Sequence, residues 1–197
     1  MKARVDLEIL GKMSFLLAED VARSMKELKS NNDQFNRRSF IRCYFSYVEA
    51  NAFILRQMLV FIILNDDDEH KVSSLTFDDI YVLSLLLEET PQPAHNGALN
   101  FQQQKIPLLN HLAFTIKQCK EEFSMTENFL ADNGWNEFQK SVKVRHRLTH
   151  PKSLDDISVS EDDLTAIVKA VNWFQNITFS IFKAAEKFSK DRGPVDL

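Results

Sequence analysis

Apolar residues recur at helical spacing along most of the chain, and short polar segments separate the periodic stretches. The segment that is densest in Phe, Tyr, Ile and Leu is the second one, and it is expected to form the most buried helix. Only four glycines and five prolines occur, which favours long helices, so no strand is predicted. The periodicity predicts six helices, over residues 5–29, 34–64, 76–88, 101–123, 133–149 and 160–190.

Local signals indicate where several helices begin and end. Thr76 is a predicted N-cap, with Asp79 at the capping-box position. Pro107 lies within the first turns of the fourth helix and is an alternative start for it. Residues 90–97 form the clearest predicted loop. The fifth helix ends at His150, because a residue that precedes proline avoids the helical region.

These elements predict an all-α, up-and-down helical bundle of five to six helices. The bundle is expected to form a single domain over residues 1–197, with 190–197 as a frayed tail. Hydrophobic residues make up 44% of the chain, which is enough for a packed core.

Composition and charge limit the kinds of function that this protein is expected to have. The net charge is −4, whereas a protein that coats nucleic acid with its whole surface would be basic, so any such contact must come from a local patch. Cys43 and Cys119 lie in apolar helical patterns and are predicted to be reduced core residues of a cytoplasmic protein. The most apolar segment, residues 53–64, is short and interrupted by Arg56 and Gln57, so no membrane contact is expected.

The end of the fifth helix departs from this amphipathic pattern. At about 100° per residue, Trp135, Phe138 and Val142 form one apolar stripe. In the last turn, polar residues continue the same arc. A charged group on the inward arc must meet a cleft, a partner subunit or an acid. Alternatively, the cations cap the helix by complementing its dipole, although capping does not explain why they replace the apolar stripe. The polar residues on this arc are Arg145, His146, Thr149 and His150.

These residues resemble the motif of the HEPN superfamily, in which an arginine and a polar residue precede a histidine by a few positions. Here Arg145 is followed by His146, by three further residues and by His150, and a proline and a last long helix come next. The resemblance covers most of the chain in architecture and about ten residues in sequence. It implies a helical bundle with metal-independent endoribonuclease activity, in which two copies of the motif face each other across a homodimer cleft.

The resemblance also implies roles for the motif residues. His150 would transfer protons, Arg145 would clamp the phosphate and His146 would be a supporting polar group. The chemistry is reasonable, because histidine titrates near neutral pH and the arginine fork matches phosphate oxygens. His146 and His150 also have the spacing of paired metal ligands on a helix, but Arg147 stands where a zinc motif would have glutamate. Neither a metal nor a cofactor is therefore expected.

Further candidates lie on the second and fifth helices. Arg42, Glu49 and Arg56 share one arc of the second helix. Glu49 could orient Arg145 or a histidine, and Arg42 or Arg56 could extend the phosphate groove, with Thr149 as a further supporting group. The alternative is an ion-pair network without function.

Other basic residues extend the charged region. Lys143, Arg147 and Lys152 are candidates for substrate binding because they create a local positive field, and the alternative is a solvated helix face. His111 is isolated in the sequence and is expected on a helix surface.

The sequence thus favours a HEPN-like endoribonuclease, such as a toxin of a toxin–antitoxin pair or a phage-defence ribonuclease. It would act on RNA as a homodimer, with an antitoxin or another regulatory protein as a candidate partner. The alternative is a non-catalytic HEPN-like module that binds a nucleotide, RNA or a protein. An unrelated bundle with an accidental motif match remains a third reading.

Overall fold

A computed structural model describes residues 7–64 and 75–192. Within these ranges the chain forms six helices and one small hairpin, so the predicted all-α bundle of six helices is confirmed. Short 3₁₀ turns cover residues 129–131 and 155–157. The elements are α1 (Leu7–Ser30), α2 (Gln34–Leu64), α3 (Phe77–Leu87), β1 (Glu89–Pro93), β2 (Leu99–Gln103), α4 (Leu108–Glu122), α5 (Asn133–Thr149) and α6 (Glu161–Arg192).

The helix ends agree closely with the local signals. Thr76 caps α3, its hydroxyl accepting from the Asp79 N–H while the Asp79 carboxylate accepts from the Thr76 N–H, as a capping box requires. The last helix continues through Arg192, past its predicted end at residue 190. The predicted start of the first helix at residue 5 and the tail at 193–197 lie outside the described residues.

The central element is α2, which packs against α1, α3, α4, α5 and α6. Phe40, Tyr44 and Leu55 on this helix are fully buried. By length and composition α2 could also cross a bilayer, since its most apolar window has a mean hydropathy of 1.6. A buried core helix satisfies the same criterion, and 44% of that window is buried inside the bundle.

Aromatic rings fill the core between α2, α5 and α6. Phe138 lies at the centre, with ring centroids of Trp135, Trp173 and Phe174 between 5.3 and 6.1 Å away. Gly134 allows this packing, because a Cβ at that position would lie 2.1 Å from Cδ1 of Trp173. The first turn of α5 is therefore anchored in the core, which determines where its last turn emerges.

The hairpin corrects three predictions, one of which is the loop predicted over residues 90–97, because residues 90–93 lie in β1. No strand was expected, yet β1 and β2 pair antiparallel, with Pro91 opposite Phe101. Residue 101 therefore lies in a strand, and α4 begins after Pro107, the alternative start. Proline explains the outcome physically, since Pro91 and Pro93 disfavour the helical region for the residues before them. Gly97, with a φ of 78°, provides the turn.

A partly buried ion cluster ties the base of the hairpin to the bundle. Glu88 ends α3 in the left-handed region with a φ of 56°, and its carbonyl accepts from the Gln104 N–H at 2.6 Å. Its carboxylate lies 3.0 Å from Nδ1 of His111 and 3.7 Å from the Arg56 guanidinium. His111 is only 2% exposed, so the expectation of a surface position was wrong. Its partner lies 23 positions away, where no local pattern reveals it.

Candidate functional site

The last turn of α5 meets the middle of α2 through one ion pair. Nη2 of Arg145 donates to Oε1 of Glu49 at 2.6 Å. The two side chains remain 35% and 46% exposed, so the guanidinium is held in place but not sealed from solvent. Of the two partners predicted for Glu49, Arg145 or a motif histidine, the structure pairs it with Arg145.

Arg145 lines a surface depression of about 370 Å³ between α2 and α5. Ile41 and Leu148 are its buried apolar residues, while Arg42 and Thr149 are exposed at its rim. The Thr149 hydroxyl donates to the Arg145 carbonyl at 2.8 Å. Two guanidinium groups and an apolar floor beside a single carboxylate suit an anion such as a phosphate, which arginine can bind through paired N–H groups.

The two motif histidines occupy the neighbouring strip of α5. His146 and His150 are both exposed, and their ring centroids are 5.2 Å apart at an angle of 58°. His150 closes the helix, its N–H donating to the His146 carbonyl at 3.0 Å. Neither ring lines the depression that holds Arg145. The imidazoles therefore form an accessible pair beside the depression.

Arg147, a candidate for substrate binding, contacts the loop after α5 and the start of α6 instead of the depression. Its guanidinium donates to the carbonyls of Asp156 and Ser158 and to the carboxylate of Asp163. Asp163 also closes the N-terminal cap of α6, accepting from the Ser160 N–H at 2.9 Å. Arg147 therefore ties the loop after α5 to the start of the next helix.

The environment of Asp163 reflects this arrangement. Burial tends to raise the pKa of its carboxyl, but the hydrogen bonds from Ser160 and Arg147 outweigh burial and lower the pKa below 3.8. The carboxylate is consequently held in its charged form at neutral pH.

The remaining predicted site residues are dispersed. Lys143 is exposed on the Arg147 side of α5, where Asp162 and Asp163 lie nearby. Lys152 is exposed in the loop, and its N–H donates to the Asp156 carboxylate at 2.8 Å. Arg56 belongs to the ion cluster beneath the hairpin and does not line the depression.

Sequence reasoning missed the partners that complete these contacts. Ile41 and Leu148 fit ordinary helical core patterns, which do not show that they meet beside Arg145. The contact of Asp163 with Arg147 was also missed, because it depends on how α5 and α6 are placed. Among residues 7–64 and 75–192, no group of three or more His, Cys, Asp or Glu side chains is positioned to hold a metal ion.

Comparisons with protein-family models, with curated proteins and with solved structures find no match. The functional interpretation therefore depends on the geometry of the site and on the motif in the sequence.

Proposed function

We propose that this protein is a HEPN-like, metal-independent endoribonuclease that acts as a homodimer. The observation that supports the proposal most directly is the position of Arg145, held by Glu49 at an open depression that also contains Arg42. Two exposed histidines stand on the same helix end. Phosphate-binding and proton-transferring groups thus lie within one short segment of α5.

The cleavage we propose is an internal transesterification. A histidine accepts the proton of the ribose 2′-hydroxyl, whose oxygen bonds to phosphorus as the bond to the 5′-oxygen breaks, and a protonated histidine supplies a proton to that leaving oxygen. Arg145 and Arg42 stabilise the negative charge on the phosphoryl oxygens. His150 is the first candidate for proton transfer, and His146 supports it.

Glu49 positions Arg145 but engages only some of the N–H groups of the Arg145 guanidinium. A guanidinium carries five N–H groups in a planar fork, and the ion pair with Glu49 engages only Nη2. The remaining N–H groups can still bind phosphate oxygens. A local site of this kind fits a chain whose net charge is −4 and whose surface as a whole would repel RNA.

Such an activity suggests a role as a toxin or phage-defence ribonuclease in the cytoplasm. Uncontrolled cleavage would damage the RNA of the cell itself, so an antitoxin or other regulatory protein is a fitting partner. The alternative is a non-catalytic module that binds a nucleotide or RNA through Arg145 and Arg42. The observation that favours this alternative is that His150 does not line the depression.

RNA cleavage in the presence of EDTA tests the proposal. We expect the wild-type protein to cleave, and His150→Ala to lower the rate by about 10²–10⁴-fold, the usual contribution of a proton-transfer group. Arg145→Ala should also lose activity. His95→Ala is the matched control, since His95 is an exposed histidine in the hairpin turn, and circular dichroism would show whether each variant is folded.

Two outcomes would separate the alternatives. RNA that stays intact but binds in a manner that depends on Arg145 would identify the non-catalytic module. Cleavage that survives both His150→Ala and Arg145→Ala would contradict the assignment of this site.

A further inference from the structure

The hairpin of β1 and β2 bears on how two copies of this chain associate, which the proposed function requires but does not explain. Residues 91–93 and 100–103 of the hairpin are exposed. Phe101 alone is 64% exposed. Among the described elements, β2 packs extensively only against β1, whereas β1 also contacts α3. An isolated two-stranded hairpin is marginally stable in water, so a further partner strand would stabilise it.

The register shows which backbone groups face outward. The Ala94 N–H donates to the Ala98 carbonyl at 2.8 Å, and Gln104 pairs with Glu88 in the same way at the other end. Hydrogen-bonded and non-hydrogen-bonded pairs alternate in an antiparallel ladder. The pairs that lack mutual hydrogen bonds are therefore Glu89 with Gln103, Pro91 with Phe101 and Pro93 with Leu99. The backbone groups of these residues point away from the hairpin.

The two outer edges consequently differ. On β1, two of the three outward positions are Pro91 and Pro93, which have no N–H to donate. On β2, the outward positions Leu99, Phe101 and Gln103 each offer an N–H and a carbonyl. The β2 segment, LNFQQ, also contains no charged residue, whereas charge and proline are the usual protection of an exposed edge. One edge is closed to further pairing and the other is open.

We propose that β2 pairs antiparallel with β2 of a second copy of this chain. With Phe101 opposite its own counterpart, Leu99 faces Gln103 of the other copy, and all outward N–H and carbonyl groups find partners. The result is a four-stranded sheet with a two-fold axis at Phe101. No charged side chains of β2 are brought together, since the strand has none.

The positions of Pro91 and Pro93 explain why we expect the strand that pairs with β2 to come from a second copy of this chain. A hairpin with two open edges would add strands without limit, whereas a hairpin with a single open edge is satisfied by one symmetric partner. After pairing, both outer edges of the new sheet are β1 edges, which are interrupted by Pro91 and Pro93. The assembly therefore ends at a dimer.

Gln103→Pro tests the pairing, because it removes an outward N–H and leaves the hydrogen bonds between β1 and β2 intact. We expect it to weaken self-association by roughly tenfold or more, since the donor is lost from both copies at once. Gln103→Thr keeps the N–H and is the matched control, for which the dimer should persist. Analytical ultracentrifugation over a wide concentration range measures both variants.

Amide hydrogen exchange gives a second readout on the wild-type protein, which does not depend on how the variants fold. In the dimer, the outward amides of Leu99, Phe101 and Gln103 should become protected as the concentration rises. The amides of Asn100 and Gln102 point toward β1 and should be protected at every concentration. A protein that stays monomeric, a dimer that Gln103→Pro leaves unchanged, or outward amides that exchange freely in the dimer would each overturn the proposal.

Replacing both Pro91 and Pro93 with threonine tests why assembly stops. This change restores two outward N–H groups on β1, so we expect assemblies larger than dimers to appear. Wild-type protein that already forms such assemblies would refute the closure at β1. The ribonuclease proposal also requires a homodimer but does not specify this interface. A dimer that Gln103→Pro leaves unchanged would therefore overturn the β2 pairing alone, and RNA cleavage in the presence of EDTA tests the ribonuclease proposal separately.

Discussion

Two arginines that lie two positions apart on α5 should have very different effects on stability. Arg147→Met removes the guanidinium but keeps much of the apolar side chain. Arg147 donates to two backbone carbonyls and to Asp163, and the side chains of this ion pair are only 27% and 22% exposed. Its loss would leave the carbonyls of Asp156 and Ser158 to water, and would leave the Asp163 carboxylate with its hydrogen bond from the Ser160 N–H.

The magnitude follows from the number and kind of contacts. A hydrogen bond that involves a charged group contributes about 1.5–3 kcal/mol, but partial exposure lets water replace some of it. Arg37 and Arg38 of α2 also hold this loop, donating to the Val159 and Ile157 carbonyls. We therefore expect Arg147→Met to lower the free energy of unfolding by about 2–3 kcal/mol, which is a Tm shift of about 4–12 °C for a chain of this size.

The matched control is Arg145→Met. Its single ion pair with Glu49 is substantially exposed, and such pairs contribute about 0.2–1 kcal/mol. Urea unfolding with an unchanged m-value measures both changes. A double-mutant cycle of Arg147→Met with Asp163→Asn should show a coupling of about 1–2 kcal/mol. Equal losses for the two arginine variants, or a loss below about 1 kcal/mol for Arg147→Met, would refute the reasoning.

Two further predictions concern the core and the hairpin base. Gly134→Ala places a methyl 2.1 Å from Cδ1 of Trp173, so we expect a loss of about 1–3 kcal/mol in urea unfolding; unchanged stability would show that the indole can move aside. Burial, aided by the charge of Arg56, lowers the pKa of His111 below 6.5. The unfolded chain then binds a proton that the folded chain does not, so stability should fall as the pH drops through 6.5. His111→Gln should flatten this dependence. Unfolding midpoints of both proteins, measured on both sides of pH 6.5, test the prediction. Equal losses of stability in the two proteins would show that His111 is not the group responsible.

Arg145 and Arg147 differ in whether their guanidinium groups are available to bind a substrate. Both were candidates for binding substrate, yet the guanidinium of Arg147 is engaged by its own chain. Arg145 keeps exposed N–H groups beside Arg42. Activity that is lost in Arg145→Met and retained in Arg147→Met well below its melting temperature would assign anion binding to Arg145.

The sequence by itself determined that six helices form, the cap that begins α3 and the segment that carries the motif, although residue 101, one of the two starts proposed for α4, lies in β2. These features depend on contacts between residues a few positions apart: apolar spacing places α2 in the core, Thr76 and Asp79 cap α3 within one turn, and Pro151 ends α5. The hairpin was missed because a strand obtains its hydrogen bonds from another strand, and its short exposed sequence shows no regular alternation.

Only the tertiary structure decided which charged residues meet. Glu49 and Arg145 are 96 positions apart, and Glu88 and His111 are 23 apart. An ion pair forms where two helices cross, and the crossing is set by packing of the buried aromatic residues rather than by the charges themselves. For this reason the sequence predicted which chemical groups belong to the candidate site. The fold determined that Arg145 lines an open depression, whereas Arg147 contacts the loop that follows α5.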